Sequence, residues 1–461
     1  SVTYSGTASY TRRPRYSDRA IYLMNSKERV DVSRELVERG VYYNNVDSWT
    51  GYEAAIQDYY NGAIDYKEFN RLVGYYETLN TDWFDVVCQD VFSHNHTLSL
   101  SGGSANIRYY ASLGMSDEKG AIKGESNRRY STTLNLSANY ERFAARFQLQ
   151  GNVSKRDYNP SELGVLDYAY NMNRAIPAFN PDGSRYFYQR TSGSMPVYNF
   201  NVLNEMDNSG DKTKGSAINM QAHIGYNVID DLKLEGTLSY GVSNTNQEIY
   251  FTEDTYYVHQ LRAEQTVQND MCPIGGELRK SEVRNTTWMA RVQANYAKNV
   301  GGEGKHNVSG SAGLELNSQR YDGFNITRRG YHRDRGKLFS SIPTTYTKYH
   351  SQFMISPNAL GVITENLTNS VAWYAMAGYD YDNRYMLNLH IRGEASNLFG
   401  SRANDRMMPI WALSGRWNVK RDILESVDWV DDLALRGSFG YKGNMLSNQT
   451  PNMIITPGVD Y

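Results

Sequence analysis

The sequence predicts an all-β protein, an antiparallel transmembrane β-barrel. Three observations carry that expectation. Side-chain character alternates with a period of two along about thirteen segments. The connections between segments are alternately short and long. The aromatic content is mostly tyrosine, 38 of 461 residues against 14 phenylalanines and 7 tryptophans, which suits side chains with one apolar and one polar end.

The elements follow in order. Ser1 to Tyr10 alternates like a strand. A block with helical spacing comes next, Asp31 to Arg39 (DVSRELVER) and Tyr66 to Leu79 (YKEFNRLVGYYETL). In the second helix Leu72, Tyr75, Tyr76 and Leu79 recur at three and four residues, and Asn80-Thr81-Asp82-Trp83 closes it. The excursion, near residues 31–80, lies within one long loop between the first two strands.

From Tyr130 to Tyr140 the apolar face reads Tyr130, Leu134, Leu136 and Ala138, against Ser131, Asn135 and Asn139. Phe143, Ala145, Phe147, Leu149 and Val153 form the next strand after a short turn at Glu141-Arg142. Ile218 to Val228 and Leu232 to Val242 flank Asp230-Asp231 in the same way. Trp288 to Tyr296 precedes a glycine-rich turn and the strand of Val308, Ala312, Leu314 and Leu316. Val371 to Tyr381 pairs with Tyr385, Leu387, Leu389 and Ile391 across Asp382-Asn383. Trp411, Leu413, Trp417 and Val419 precede a last strand with Leu433, Leu435, Phe439 and Tyr441.

The long connections are expected at Tyr158 to Lys214, Asn244 to Asn285 and Ser318 to Ser370. Outer-membrane barrels gather such loops at their outward end and keep short turns on the periplasmic side. Tyr130, Tyr140, Tyr226, Tyr240, Tyr296 and Tyr385 fit interfacial girdles. Lys233, Glu235, Arg146 and Arg291 then face a wet lumen. A soluble β-sandwich or propeller shares the alternation, but no repeat of about 40–50 residues marks a propeller.

Other classes fall away. Disordered chains lack this aromatic content. No apolar run approaches the ~18 residues of a transmembrane helix. The net charge of -2, from 48 basic and 50 acidic residues, offers no footprint for nucleic acid. Cys88 and Cys272 are too few for a disulfide framework or a cysteine metal site. His94 and His96 share a strand face but lack an evident third metal ligand. Asp380 and Asp382 with Glu394 could pass for paired glycosidase carboxylates, whereas Asp382-Asn383 reads better as a turn. Ser99 to Gly103 lacks the lysine and the strand-to-helix setting of a phosphate loop. No catalytic residue, metal or cofactor is expected. The aromatics of the outward loops, Tyr186, Phe187, Tyr188, Tyr346 and Tyr349, are the candidate substrate contacts, with loop-on-loop packing as their ordinary alternative.

Several stretches carry a family resemblance. Tyr22 to Gly40 (YLMNSKERVDVSRELVERG), Asn80 to Val87 (NTDWFDVV) and Ser93 to Gly124 occur in order. They resemble the early barrel of the SusC/RagA-type TonB-dependent outer-membrane transporters of Bacteroidota. Tyr379 to Ser401 (YDYDNRYMLNLHIRGEASNLFGS) is similar to that family's mid-barrel signature, and Leu433 to Asn444 (LALRGSFGYKGN) to a later one. At Arg392-Gly393-Glu394-Ala395 the chain departs from the family's usual Asp-Gly, which is expected to alter a local turn. The resemblance implies a barrel of about 22 strands enclosing a plug domain. Residues 1–461 are then expected to be a partial barrel, beginning after the plug and stopping inside the ring. It further implies active import of oligosaccharides, or peptides, through the outer membrane. The implied partners are a SusD-like surface lipoprotein, the TonB–ExbB–ExbD complex acting through an N-terminal region, and outer-membrane lipid. A passive porin and a soluble glycan-binding or hydrolytic β-protein are the alternatives.

Overall fold

The computed structural model describes the chain apart from residues 20, 42–48, 193–194, 263–268, 302–303, 399–406, 408 and 444–461. The end stretch Asn448 to Tyr461, and the ends of the two later family-like stretches, lie outside the described residues.

The strands are β1 (Val2–Thr11), β2 (Val91–Gly103), β3 (Ile107–Lys119), β4 (Ser126–Asn139), β5 (Phe143–Tyr158), β6 (Tyr188–Ser192), β7 (Met195–Phe200) and β8 (Ser209–Ile229). They continue as β9 (Leu232–Phe251), β10 (Gly276–Val300), β11 (His306–His332), β12 (Leu338–Phe339), β13 (Val362–Tyr381), β14 (Tyr385–Ser396), β15 (Ile410–Asn418) and β16 (Ala434–Tyr441). One antiparallel sheet runs β1-β2-β3-β4-β5-β8-β9-β10-β11-β13-β14-β15-β16, with β12 on the end of β11 and β6-β7 as a separate hairpin. Every strand on that path pairs with its neighbours in sequence order, the up-and-down order of a membrane barrel.

The register sorts the two faces. Leu136, Phe147, Ala222, Leu238, Ala290, Leu316 and Val371 stand opposite one another in a single row across seven strands. The adjacent row, on the other face, reads Asn135, Gln148, Gln221, Ser239, Met289, Asn317 and Ser370. A one-residue slip would exchange these faces, so the apolar pattern fixes the register. The apolar face is exposed: Leu238 is 62% accessible and Leu314 60%. In water that would be an aggregation liability, whereas against hydrocarbon it is the favourable arrangement. The six girdle tyrosines are all exposed hydrophobics, and the five that lie in strands are on this face.

Connections divide by end. Residues 104–106, 140–142, 230–231, 301–305, 382–384 and 419–433 lie at one end, and 12–90, 120–125, 159–208, 252–275, 333–361 and 397–409 at the other. The turn after β13 has Asp382 and Asn383 at φ 49° and 52°, a hairpin turn that asparagine and aspartate tolerate. Gly103 ends β2 at φ 147°, and a Cβ there would lie 2.1 Å from the Ile107 carbonyl oxygen, so only glycine fits.

Two expectations need correction. The long connections are shorter than the alternation suggests, because strands continue well past the apolar band. β10 and β11 have 25 and 27 residues, more than twice the ~9–11 that cross a bilayer. Beyond the membrane both faces meet water, so the apolar rhythm stops while the backbone ladder persists. At Arg392 to Ala395 there is no turn to alter, since β14 runs on to Ser396.

The helical excursion is also larger than the spacing shows. It holds α1 (Ser26–Glu38), α2 (Gly51–Tyr60), α3 (Tyr66–Thr78) and α4 (Trp83–Val87). A capping box between Asn25 and Glu28 starts α1, Asp65 caps α3, and Asp82 starts α4 where the sequence suggested only an ending. No helix among the described residues is long and apolar enough to cross a membrane.

Leu238→Arg, at the middle of the apolar face, is expected to destabilise the folded protein in lipid bilayers by about 2–4 kcal/mol. Ser239→Arg, one residue on and facing the other way, should cost far less. Denaturant unfolding of the full-length protein in vesicles measures both.

Candidate functional site

Two regions carry polar chemistry, the inner wall of the sheet and the crown of loops above it. On the wall, Glu235 of β9 is the centre of a network. It receives Lys233 at 2.6 Å and the Asn295 amide at 2.7 Å, and His223 Nε2 lies 3.5 Å away. Gln293 donates to Asn295 Oδ1 at 2.5 Å, and the Tyr374 hydroxyl donates to Gln293 at 2.6 Å. Further along, Arg392 lies 3.4 Å from Glu315 and 3.3 Å from Glu394. A hollow of about 470 Å³ opens against Arg291, Gln293, Glu315, Tyr374 and Arg392. Such a wall solvates a polar solute or a polar protein surface, with Met376 and Ile410 adding apolar contacts in the hollow.

The carboxylates that resemble a glycosidase pair do not meet. Asp380 stands opposite Met386, and Glu394 opposite Ala372, eight residues down β13 and thus roughly 27 Å away. Asp380 Oδ1 accepts the Asn383 amide at 2.9 Å, and Asp382 pairs with Arg384 at 2.9 Å, so both serve the turn. His96 takes the Tyr4 hydroxyl at 2.6 Å and lies 3.1 Å from His94, in the outward girdle. No cluster of three metal-ligating side chains occurs among the described residues.

The crown holds the buried core of the chain. Its first cluster joins Trp83, Phe84 and Val87 of α4 to Val165 and Ala169 of α5 (Val165–Asn171), Val202 of α6 (Val202–Asp207), Phe200, and Tyr256 of α7 (Tyr256–Leu261). Trp83 Nε1 donates to the Asn173 carbonyl at 3.0 Å, tying the first loop to the loop after β5. A second cluster gathers Ile342, Tyr349, Phe353 and Ala359. Cys88 and Cys272 are buried and unpaired, and burial pushes their thiols up to about 11 and about 12, so neither is a reactive thiolate.

Sequence reasoning missed the residue that joins these loops. Glu277, 1% exposed, accepts Arg279 Nε at 2.8 Å, Arg329 Nε at 2.8 Å and the Tyr257 hydroxyl at 3.0 Å. Arg279 also bonds Glu162 in the loop after β5. Arg329 donates to the Met271 carbonyl at 2.7 Å and lies 3.9 Å from the Phe353 ring centre. The available signal was Glu277 and Arg279 two apart on one strand, beyond the apolar band, where two charges share a face.

The five candidate contact residues are placed as follows. Tyr186 and Tyr188 pack against the first cluster, and the Tyr188 ring centre lies 5.5 Å from that of Phe200. Tyr349 is buried in the second cluster, with Tyr346 packed against it. Phe187 has its side chain outward, 40% exposed.

The chain is thus a segment of an outer-membrane-type β-barrel crowned by folded loops. No family model matches it. In sequence it is similar to the TonB-dependent receptor P39 of Formosa agariphila, 22% identical over 81% of this chain and 33% of that protein. It is similarly related to the TonB-dependent receptor SusC of Bacteroides thetaiotaomicron, 22% identical over 79% of this chain and 35% of the relative. In structure it shares the fold of a RagAB peptide transporter, with TM-score 0.65 and 19% identity over 95% of this chain and 47% of the other. The resemblance to SusC/RagA-type TonB-dependent transporters therefore runs along most of the sequence. The chain spans about a third of the length of the curated relatives it matches.

Glu277→Ala leaves Arg279 and Arg329 without their shared anion and is expected to cost about 3–5 kcal/mol locally. Limited proteolysis should then cut 252–275 and 333–361 first, with strand content by circular dichroism unchanged. Glu205 gives a pH test. Burial raises its carboxyl above the ordinary range, and the Tyr256 backbone N–H at 2.9 Å from each oxygen only partly offsets that. The folded crown holds this proton more tightly than the unfolded chain. The contribution is full below the ordinary carboxylate range and is lost as pH rises through the raised value. Protease protection should weaken as pH rises above the ordinary carboxylate range on this account, and Glu205→Gln should flatten that dependence.

Proposed function

We propose that this chain is the barrel portion of a SusC-like, TonB-dependent importer that carries oligosaccharides, or peptides, across the outer membrane. The supporting observation is the partition of one strand ladder. It has an exposed apolar face, a hydrogen-bonded polar face, and its four longest connections at one end. The folded crown argues further for selective uptake, since a passive pore has no use for loops with cores of their own. The receptors and the peptide transporter to which the chain is similar are importers or receptors by name, which agrees with a protein that makes and breaks no bond.

On this reading residues 1–461 are a partial barrel. β1 and β16 each pair on one side only among the described residues. An open edge in lipid leaves backbone groups unpaired at a cost of several kcal/mol each, so further strands of the full-length protein close the ring. A plug domain fills the polar interior, TonB–ExbB–ExbD drives it, and a SusD-like lipoprotein covers the crown. Among the candidate contacts Phe187 is the ring best disposed to stack on a passing solute.

Uptake of labelled oligosaccharides and peptides by cells expressing the full-length protein tests the reading. Uptake should require TonB. Large open-channel currents from the intact protein without TonB would refute it in favour of a porin. Phe187→Ala should weaken half-saturation several-fold, consistent with about 1 kcal/mol for one lost aromatic contact.

A further inference from the structure

We propose that the lipid-facing wall carries a binding site for the phosphate headgroup of an outer-leaflet lipid, formed by Arg128, Lys155 and Lys214. Arg128 of β4 stands opposite Lys155 of β5, and Lys155 opposite Lys214 of β8. Three cations thus stand side by side on adjacent strands. Directly opposed side chains have Cβ atoms about 4.5–5.5 Å apart, and like charges so placed repel. Asp117 and Asp157 offset part of that repulsion, and a further anion across the row would offset the rest.

The row's height identifies the anion. Arg128, Lys155 and Lys214 share the face of Tyr130, Leu136, Val153 and Ile218. From Tyr140 to Tyr130 the apolar face spans ten residues, about 25 Å once the strand tilt is allowed for, the height of a barrel's hydrocarbon band. Arg128 and Lys155 are the next outward-facing residues beyond Tyr130 and Val153, toward the end that bears the long loops. That is headgroup depth, with acyl chains lying against Leu134, Leu136 and Val153 below.

The protein supplies only part of the countercharge. Arg128 is held by Asp117 at 2.6 Å and Lys155 by Asp157 at 2.8 Å, while both cations keep more than half of their side-chain surface exposed. Lys214 is exposed and makes no ion pair among the described residues. Lys212, two residues away on the same face, stands opposite Asp157. The excess is local. Continuing along the row, Lys214 faces Asn246 on β9 and Asn246 faces Glu282 on β10. Arg128 already gives its Nε and Nη2 to Asp117, which leaves its Nη1 edge beside two ammonium groups, an arrangement of N–H donors and point charges that suits a phosphate monoester.

The test uses the full-length protein in neutral detergent. It is titrated with lipid A in mixed micelles, with dephosphorylated lipid A, and with inorganic phosphate. Lipid A should raise the thermal unfolding midpoint, more at low salt than at high salt. The Lys155→Gln/Lys214→Gln double variant should bind lipid A roughly tenfold or more weakly, with unchanged strand content. Lys214→Gln alone, which breaks no ion pair, should show a smaller loss in the same direction and serves if the double variant fails to fold. Undiminished lipid A binding by a folded variant overturns the site. Equal binding of dephosphorylated lipid A overturns the phosphate contact, and equal competition by inorganic phosphate overturns the lipid assignment.

Discussion

Backbone hydrogen bonding in a medium without water governs this structure. Each residue carries a donor and an acceptor that hydrocarbon cannot satisfy, so a chain with no membrane-length apolar helix must cross as a paired ladder. Everything else in the sheet follows from that ladder. Its period of two places apolar side chains on one face and polar ones on the other, and its antiparallel order makes sequence neighbours spatial neighbours. Because the pairing runs unbroken from Glu277 to Val300 against β11, the ladder also lifts the loops far from the bilayer, on paired stalks rather than single-chain tethers.

Burial is inverted relative to a soluble protein. The sheet buries little on its own, and its apolar face is left for lipid. The packed interior is in the crown, where Trp83, Phe84, Val87 and Phe251 are nearly inaccessible. Apolar clusters alone do not specify how loops from different strands meet. The Glu277–Arg279–Arg329 cluster on β10 and β11 does, because each buried charge needs a geometry-specific partner, and Tyr257, Glu162 and the Met271 carbonyl reach it from the loops after β9 and β5. The cluster therefore ties the loops after β5 and β9 to the upper ends of β10 and β11.

The sheet was largely legible in the sequence and the crown was not. Leu232, Leu234 and Leu238 against Lys233, Glu235 and Thr237 announce a strand because lipid and lumen impose opposite demands on adjacent residues. Arg320, Tyr321 and Asp322 announce nothing, since water accepts either face, yet they are equally strand. The helices show the same contrast. The long α3 was readable from its stripe, while the five-residue α4 is too short to have a period and reveals itself only through the Asp82 cap. The loop aromatics were the least legible, because Tyr186, Tyr188, Tyr346 and Tyr349 look identical to Phe187 in composition and context. Whether such a ring points to a core or to solvent depends on partners distant in sequence, such as Phe200 for Tyr188.

The inner wall constrains any account of passage. Some of its charges are matched within the wall, Lys233 with Glu235 and Arg392 with Glu315 and Glu394, whereas Arg146 and Arg291 make no ion pair among the described residues. A neutral, multiply hydroxylated or amide-bearing solute can exchange one weak contact for the next along Gln148, Gln221 and Asn317. A surface built largely of polar side chains also suits a polar protein domain lying against it, because few apolar contacts hold the two together.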